Sequence, residues 1–166
     1  LVTQRQIIPM IESPTGLVNA QRIAREPGVV ALLAGTNDLR RGLGVPPDAP
    51  RSAISFALQS IVLAARAAGV AVFDGVYNGL DDLDGLTREC EEGRQMGFDG
   101  KSIIHPSHIE IANKAFSPSE PALHNAKALI EAYTGGAQRY DGRMIEAMHV
   151  EEAKMLIERA ERHGQA

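Results

Sequence analysis

Val29-Val30-Ala31-Leu32-Leu33-Ala34-Gly35-Thr36-Asn37-Asp38 is the stretch that decides the fold. Its apolar part is short and uninterrupted, with no polar position to alternate toward water. A run apolar at every position is the mark of a parallel strand covered on both faces. It closes on glycine and small polar residues that lead to an aspartate. The pattern recurs on either side: residues 7–11 stop at Glu12, residues 70–73 at Asp74, and residues 102–104 at His105.

Between these runs lie segments with helical spacing. Residues 17–26 place Leu17, Ala20, Ile23 and Ala24 on one face before Pro27-Gly28. Residues 51–68 do the same with Ile54, Leu58, Ile61, Val62 and Ala65, and Gly69 is a C-terminal stop. Residues 82–96 form a third helix closed by Gly97, and Pro106-Ser107 opens a short one reaching Ala115. Residues 35–50, rich in Gly and Pro, read as a loop. Four strand-helix units in a row predict an α/β fold with a parallel sheet, because the crossover sets adjacent strands side by side. A full (β/α)8 barrel takes roughly 250 residues. The 166 residues here hold about half of one, the C-terminal half of a TIM barrel.

From Phe116-Ser117-Pro118-Ser119 the character changes to helices without strands: 120–133, a Gly135-Gly136 hinge, then 149–163. The predicted organisation is barrel units over 1–116 and a helical C-terminal extension over 117–166, whose last helix could serve as a lid or a subunit arm. The sequence opens Leu1-Val2-Thr3 without an initiator methionine, which suggests a fragment.

Composition narrows the function classes. A net charge of -4 and a single adjacent basic pair, Arg40-Arg41, argue against nucleic acid as a partner. No apolar run nears the roughly 20 residues of a membrane helix, and nothing resembles a signal peptide, so a cytoplasmic enzyme is expected. The lone Cys90 excludes an intrachain disulfide, and Glu89, Glu91 and Glu92 around it discourage a thiolate. No G-x-S-x-G elbow, Walker loop or G-x-G-x-x-G fingerprint is present.

Ligands collect at the carboxyl ends of parallel strands. Glu12 and Asp38 follow adjacent strands, and two converging carboxylates suit Mg²⁺ when a substrate supplies further oxygens. The competing reading is that each caps a helix or satisfies loop amides. Main-chain N–H groups of Gly35-Thr36-Asn37-Asp38 can form a nest for a substrate carboxylate. Asp74 is a further acid of the rim or a turn residue bonded to its own loop. His105 is a proton donor, a ligand contact or a cap, with contact favoured.

Together, Pro9-Met10-Ile11-Glu12-Ser13-Pro14-Thr15-Gly16, Gly35-Thr36-Asn37-Asp38-Leu39, Ala64-Ala65-Arg66-Ala67-Ala68-Gly69 leading to Asp74-Gly75-Val76-Tyr77, Gly97-Phe98-Asp99-Gly100-Lys101, Ile104-His105-Pro106 and Phe116-Ser117-Pro118 resemble the citrate lyase beta subunit-like branch of the HpcH/HpaI aldolase superfamily. That branch contains malyl-CoA, methylmalyl-CoA and citramalyl-CoA lyases. The resemblance implies a TIM barrel, Mg²⁺ bound by Glu12 and Asp38, and the substrate carboxylate held at Asn37 and Asp38. It also implies that Ile104 and His105 lie against coenzyme A. The proton-transfer acid, reaching a neighbouring subunit's site, falls on Glu146, where several relatives carry aspartate. The family's substrate-clamping arginine belongs to the first half of the barrel, outside this sequence. A half barrel alone would expose strand edges and should need a partner.

The implied function is Mg²⁺-dependent carbon-carbon cleavage of a 3-hydroxyacyl-CoA to an acyl-CoA and a 2-oxo acid, by a homo-oligomer, trimer or hexamer. Alternatives are an acyl-CoA thioesterase, a non-catalytic interaction partner, and an aldolase on free 2-oxo acids, the last disfavoured by the helical extension.

Overall fold

In a computed structural model of the protein, which describes residues 5–162, the apolar runs form four short parallel strands. They are β1 (Met10–Ile11), β2 (Ala31–Ala34), β3 (Ala71–Asp74) and β4 (Gly100–Lys101). They pair in chain order, β1-β2-β3-β4. The register Met10↔Leu33, Leu33↔Phe73, Phe73↔Gly100 lines these residues up on one face. Ile11, Leu32, Ala34 and Val72 alternate to the other face and are buried in the core.

Three differences from the sequence reading have local causes. Residues 7–9 do not form a continuous strand: Ile7 bridges to Val29 and the Pro9 carbonyl accepts from the Leu33 N–H at 3.0 Å, but Pro9 has no N–H to give the ladder. Residues 102–104 are not strand: the Ser102 N–H still donates to the Asp74 carbonyl at 2.9 Å, and the chain then turns toward Pro106. The expected cover on both sheet faces is also incomplete, with Ile8 and Met10 each 51% exposed.

The helix expected over 17–26 is two helices, α1 (Pro14–Val18) and α2 (Ala20–Ala24). Asn19 breaks it, its side-chain amide donating to the Thr15 carbonyl at 2.8 Å in competition with the helical ladder. The supposed loop over 35–50 contains α3 (Thr36–Gly42). That helix has no apolar periodicity to reveal it; Asp38 in its first turn and Arg40 and Arg41 in its last match the helix dipole. A 3₁₀ turn (Arg51–Ile54) leads into α4 (Ser55–Ala68), which buries Ala57, Leu58, Ile61, Val62, Ala64 and Ala65 and ends at left-handed Gly69 (φ 70°). α5 (Leu83–Met96) is capped by the Asp82 carboxylate, and a second 3₁₀ turn (Pro106–His108) precedes α6 (Ile109–Phe116). The helices share one core with the sheet, centred on Leu32, Leu58, Ile61, Val72, Leu86 and Phe98.

The chain divides into two compact units, Leu1–Phe116 and Ser117–Ala166. The second holds α7 (Glu120–Ala132), β5 (Gln138–Tyr140), β6 (Arg143–Ile145) and α8 (Ala147–Arg162). The antiparallel hairpin β5-β6 corrects the expectation of helices only. Asp141 (φ 45°) and Gly142 (φ 75°) turn it in the left-handed region. An Asp-Gly pair between short strands is a hairpin signal in its own right. The expected end of the last helix at His163, and the opening Leu1-Val2-Thr3, lie outside the described residues. Among the described residues no helix is long and apolar enough to cross a membrane.

Candidate active site

Glu12 follows β1 directly, and Asp38 lies in the first turn of α3 just after β2. Two close approaches hold them together. A Cβ on Gly35 would collide with the Glu12 Cβ, so only glycine lets the end of β2 lie against the glutamate. At the other end of α3, a Cβ on Gly42 would sit 2.8 Å from Pro14 Cδ, which seats the helix on the start of α1. Glu12 and Asp38 thus line one open pocket of about 360 Å³ with Ser13, Arg41 and Gly42.

The capping alternative can be tested for each. Ser13, not Glu12, caps α1, its Oγ accepting from the Gly16 N–H at 3.0 Å. Gly35 occupies the N-cap of α3, leaving Asp38 inside the helix with its carboxylate paired to Arg41 Nη2 at 2.6 Å. Neither carboxylate is used as a cap. Both are exposed hard oxygen donors, a set that suits Mg²⁺ with room for substrate and water ligands. Among the described residues no three His, Cys, Asp or Glu side chains converge as a complete metal cage.

The N–H groups of Thr36, Asn37 and Asp38 begin α3 and have no carbonyl one turn back. The Asn37 side chain is engaged: it exchanges amide hydrogen bonds with Asn78 at 3.1 and 2.7 Å, tying the turn after β2 to the loop after β3. A cavity of about 820 Å³ opens beside this link, walled by Arg40, Arg41, Arg51, Tyr77 and Asn78 among others. Arg40 donates to the Ala49 carbonyl, which folds residues 43–50 over that cavity.

Asp74 is not on the open rim. It is fully buried between the sheet and the helices, where Arg51 Nη2 reaches Oδ1 at 2.8 Å and Lys101 Nζ reaches Oδ2 at 2.9 Å. Glu89 completes the cluster, 2.6 Å from Lys101 and 3.3 Å from Arg51, and Glu92 lies 3.3 Å from Arg51 Nε. Burial works against the Arg51 charge, but Asp74, Glu89 and Glu92 outweigh it and hold its pKa above the ordinary arginine value. A Cβ on Gly93 would come 2.9 Å from Asp74 Oδ2, so α5 can approach this carboxylate only through glycine. Strand alternation takes it off the rim, since Asp74 has the same parity as Val72, which faces the helices. The other expectation, a bond to its own loop, is met: the Gly75 N–H donates to Asp74 Oδ1 at 2.8 Å.

His105 is exposed and acts as the cap of the turn Pro106–His108, its Nδ1 accepting from the Ser107 N–H and lying 2.7 Å from Ser107 Oγ. Ile104 beside it is 56% exposed, open to a ligand. His108, expected on an outer helix and no partner for Cys90, is instead fully buried with Nε2 3.3 Å from the Leu80 carbonyl. Glu146 is half-buried in the second unit, its N–H donating to His149 Nδ1 at 3.1 Å. Cys90 is buried on α5, and burial raises its thiol pKa, so it is no nucleophile.

A parallel βα sheet with two carboxylates beyond adjacent strand ends serves many chemistries, and sequence comparison supplies the class. The HpcH/HpaI aldolase/citrate lyase family matches residues 2–106, and the chain belongs to that family. It is 40% identical to a (3S)-malyl-CoA thioesterase of Cereibacter sphaeroides over 97% of this chain and 59% of the relative. It is 35% identical to the citrate lyase subunit beta of Haemophilus influenzae, over 93% of this chain and 56% of that protein. Among solved structures, CitE of Mycobacterium tuberculosis in complex with magnesium, acetoacetate and coenzyme A superposes with a TM-score of 0.83 at 29% identity. That match covers 96% of this chain and 62% of the other. The chain therefore spans 56–62% of the length of these relatives.

Proposed function

We propose that this chain carries the metal-binding half of a Mg²⁺-dependent carbon-carbon lyase that cleaves a 3-hydroxyacyl-CoA of the malyl-CoA type. The observation that carries the reading is the meeting of Glu12 and Asp38 in one pocket beyond adjacent parallel strands. Its four βα units would be the last four of a (β/α)8 barrel, followed by a helical extension. The relatives that bind magnesium, coenzyme A and oxo acids support this assignment.

Glu12 and Asp38 would hold Mg²⁺, which supplies Lewis-acid polarisation of the substrate's hydroxyl and carboxylate oxygens. The N–H groups of Asn37 and Asp38 orient the carboxylate at the start of α3. Ile104 and His105 offer an exposed surface for the coenzyme A moiety. As the substrate hydroxyl gives up its proton to a base, the bond between the hydroxyl-bearing carbon and the carbon next to the thioester breaks, its electron pair passing to the thioester as the C–O bond becomes a carbonyl, which leaves a 2-oxo acid and an acyl-CoA enolate. The enolate needs a proton, and Glu146 is assigned as its source, acting in a neighbouring subunit of a homo-oligomer.

A second reading, hydrolysis of the thioester, is favoured by the relative named a malyl-CoA thioesterase. Products separate the two. Glyoxylate with acetyl-CoA from malyl-CoA marks the lyase, and free malate with coenzyme A marks the thioesterase. The test uses malyl-CoA, citramalyl-CoA and methylmalyl-CoA with and without Mg²⁺, on this chain, on a full-length parent if one exists, and on Glu12→Ala in each. Metal-dependent 2-oxo acid release that falls about a hundredfold in Glu12→Ala is expected; none from any folded form tested overturns the lyase reading.

A further inference from the structure

Arg41 occupies an unusual position. Its Nη2 lies 2.6 Å from Asp38 Oδ1, yet its side chain is 82% exposed and so is held by that pairing rather than by packing. It lines both the pocket of Glu12 and Asp38 and the larger cavity beyond it. The backbone beneath it is fixed, because the next residue, Gly42, is wedged against Pro14. A change of state here is therefore a swing of one side chain.

We propose that Arg41 competes with a divalent cation for Asp38 and, once displaced, pairs with an anionic carboxylate in the adjoining cavity. The inference rests on the metal reading above and adds a positioning role for a residue that reading leaves out. Charge drives it. Two carboxylates and one guanidinium sum to a single negative charge, which attracts a cation; adding a divalent ion turns the sum to a single positive charge, which attracts an anion. A guanidinium near a divalent ion is repelled from Asp38, and the cavity beside it offers the nearest place to go. There its planar fork matches a carboxylate in two-point contact. Arg40, bonded to the Ala49 carbonyl, is already committed to the 43–50 segment.

The test measures Mn²⁺ binding to the whole chain by electron paramagnetic resonance of the free ion, for the wild type, Arg41→Gln and Arg41→Lys. Glyoxylate affinity is then measured at saturating Mn²⁺. Removing an exposed competing pair should tighten Mn²⁺ about two- to fivefold in Arg41→Gln. The same variant should weaken glyoxylate, and Arg41→Lys should move both less. Opposite signs are the signature, since simple damage to the pocket would weaken both ligands. Mn²⁺ affinity unchanged or weaker in Arg41→Gln overturns the role of Arg41 while leaving the metal site standing. Absence of any Mn²⁺ binding sensitive to Glu12→Gln overturns both.

Discussion

Tyr77 donates its hydroxyl to Asp82 Oδ2 at 2.5 Å, while Asp82 Oδ1 accepts from the Gly85 N–H at 2.8 Å to cap α5. The pairing shifts both groups: the Asp82 carboxylate holds the Tyr77 phenol pKa above 10.0, and the phenol and the Gly85 amide hold the Asp82 pKa below 3.8. A phenol whose folded pKa is raised stabilises the fold below its unfolded value near 10 and ceases to do so as pH rises through the folded one. A carboxylate whose folded pKa is depressed stabilises it above about pH 4 and ceases to do so as pH falls through the folded one. The pair therefore ties together the two ends of the 77–82 loop, which contributes Tyr77, Asn78 and Gly79 to the wall of the large cavity, across the neutral range. Absorbance titration at 295 nm, as the difference between wild type and Tyr77→Phe, should show one phenol with a midpoint above 10 that falls in Asp82→Asn. A midpoint indifferent to Asp82→Asn would remove the coupling. Site residues differ in how legible they are. Glu12 and Asp38 stand out because they follow apolar runs. Arg41 and Asn78 acquire meaning only once α3 is folded against the β3 loop, a tertiary fact that no local pattern encodes.

Elements here are joined by polar as well as apolar contacts. Asp74 on β3 binds Lys101 on β4 and Arg51 ahead of α4, and Glu89 from α5 closes the ring. Lys101 and Asp74 are both fully buried, so neither charge has water to fall back on. Removing one partner of a buried pair typically costs about 3–5 kcal/mol, mostly as the penalty on the charges left behind. Asp74→Asn should accordingly lower stability by about 3 kcal/mol in urea unfolding. A loss under about 1 kcal/mol, the size of an exposed pair, would mean that water or Glu89 substitutes for it. The same elements show which patterns survive without tertiary context. α4 and α5 were readable from periodicity and their terminal glycines. α3 was hidden because a short polar helix has no apolar stripe, and the hairpin β5-β6 because its strands are only three residues each. Asp74 keeps two readings open in the sequence because a residue at a strand end can point to either side, and parity with Val72 decides between them.

At the scale of the molecule, the four apolar runs carry more hydrophobic surface than the first unit covers. One sheet face lies under the helices, whereas on the other Ile8 and Met10 are each 51% exposed. Parallel sheets are normally buried on both faces, and contiguous apolar patches on a lone chain drive association. In the proposed barrel this face would be the interior, closed by strands that the relatives' greater length can supply. The chain of 166 residues by itself should therefore bind an apolar reporter dye such as anilinonaphthalene sulfonate and self-associate with rising concentration in sedimentation velocity. Met10→Lys places a charge on that face and should reduce both signals, while Val18→Lys, at an 82% exposed position on α1, should leave them unchanged. A monomer at every concentration that leaves the dye dark would show the face to be covered. The reading of this chain as a portion of a barrel would then lose its physical basis, because a sheet already closed on both sides has no interior left to share.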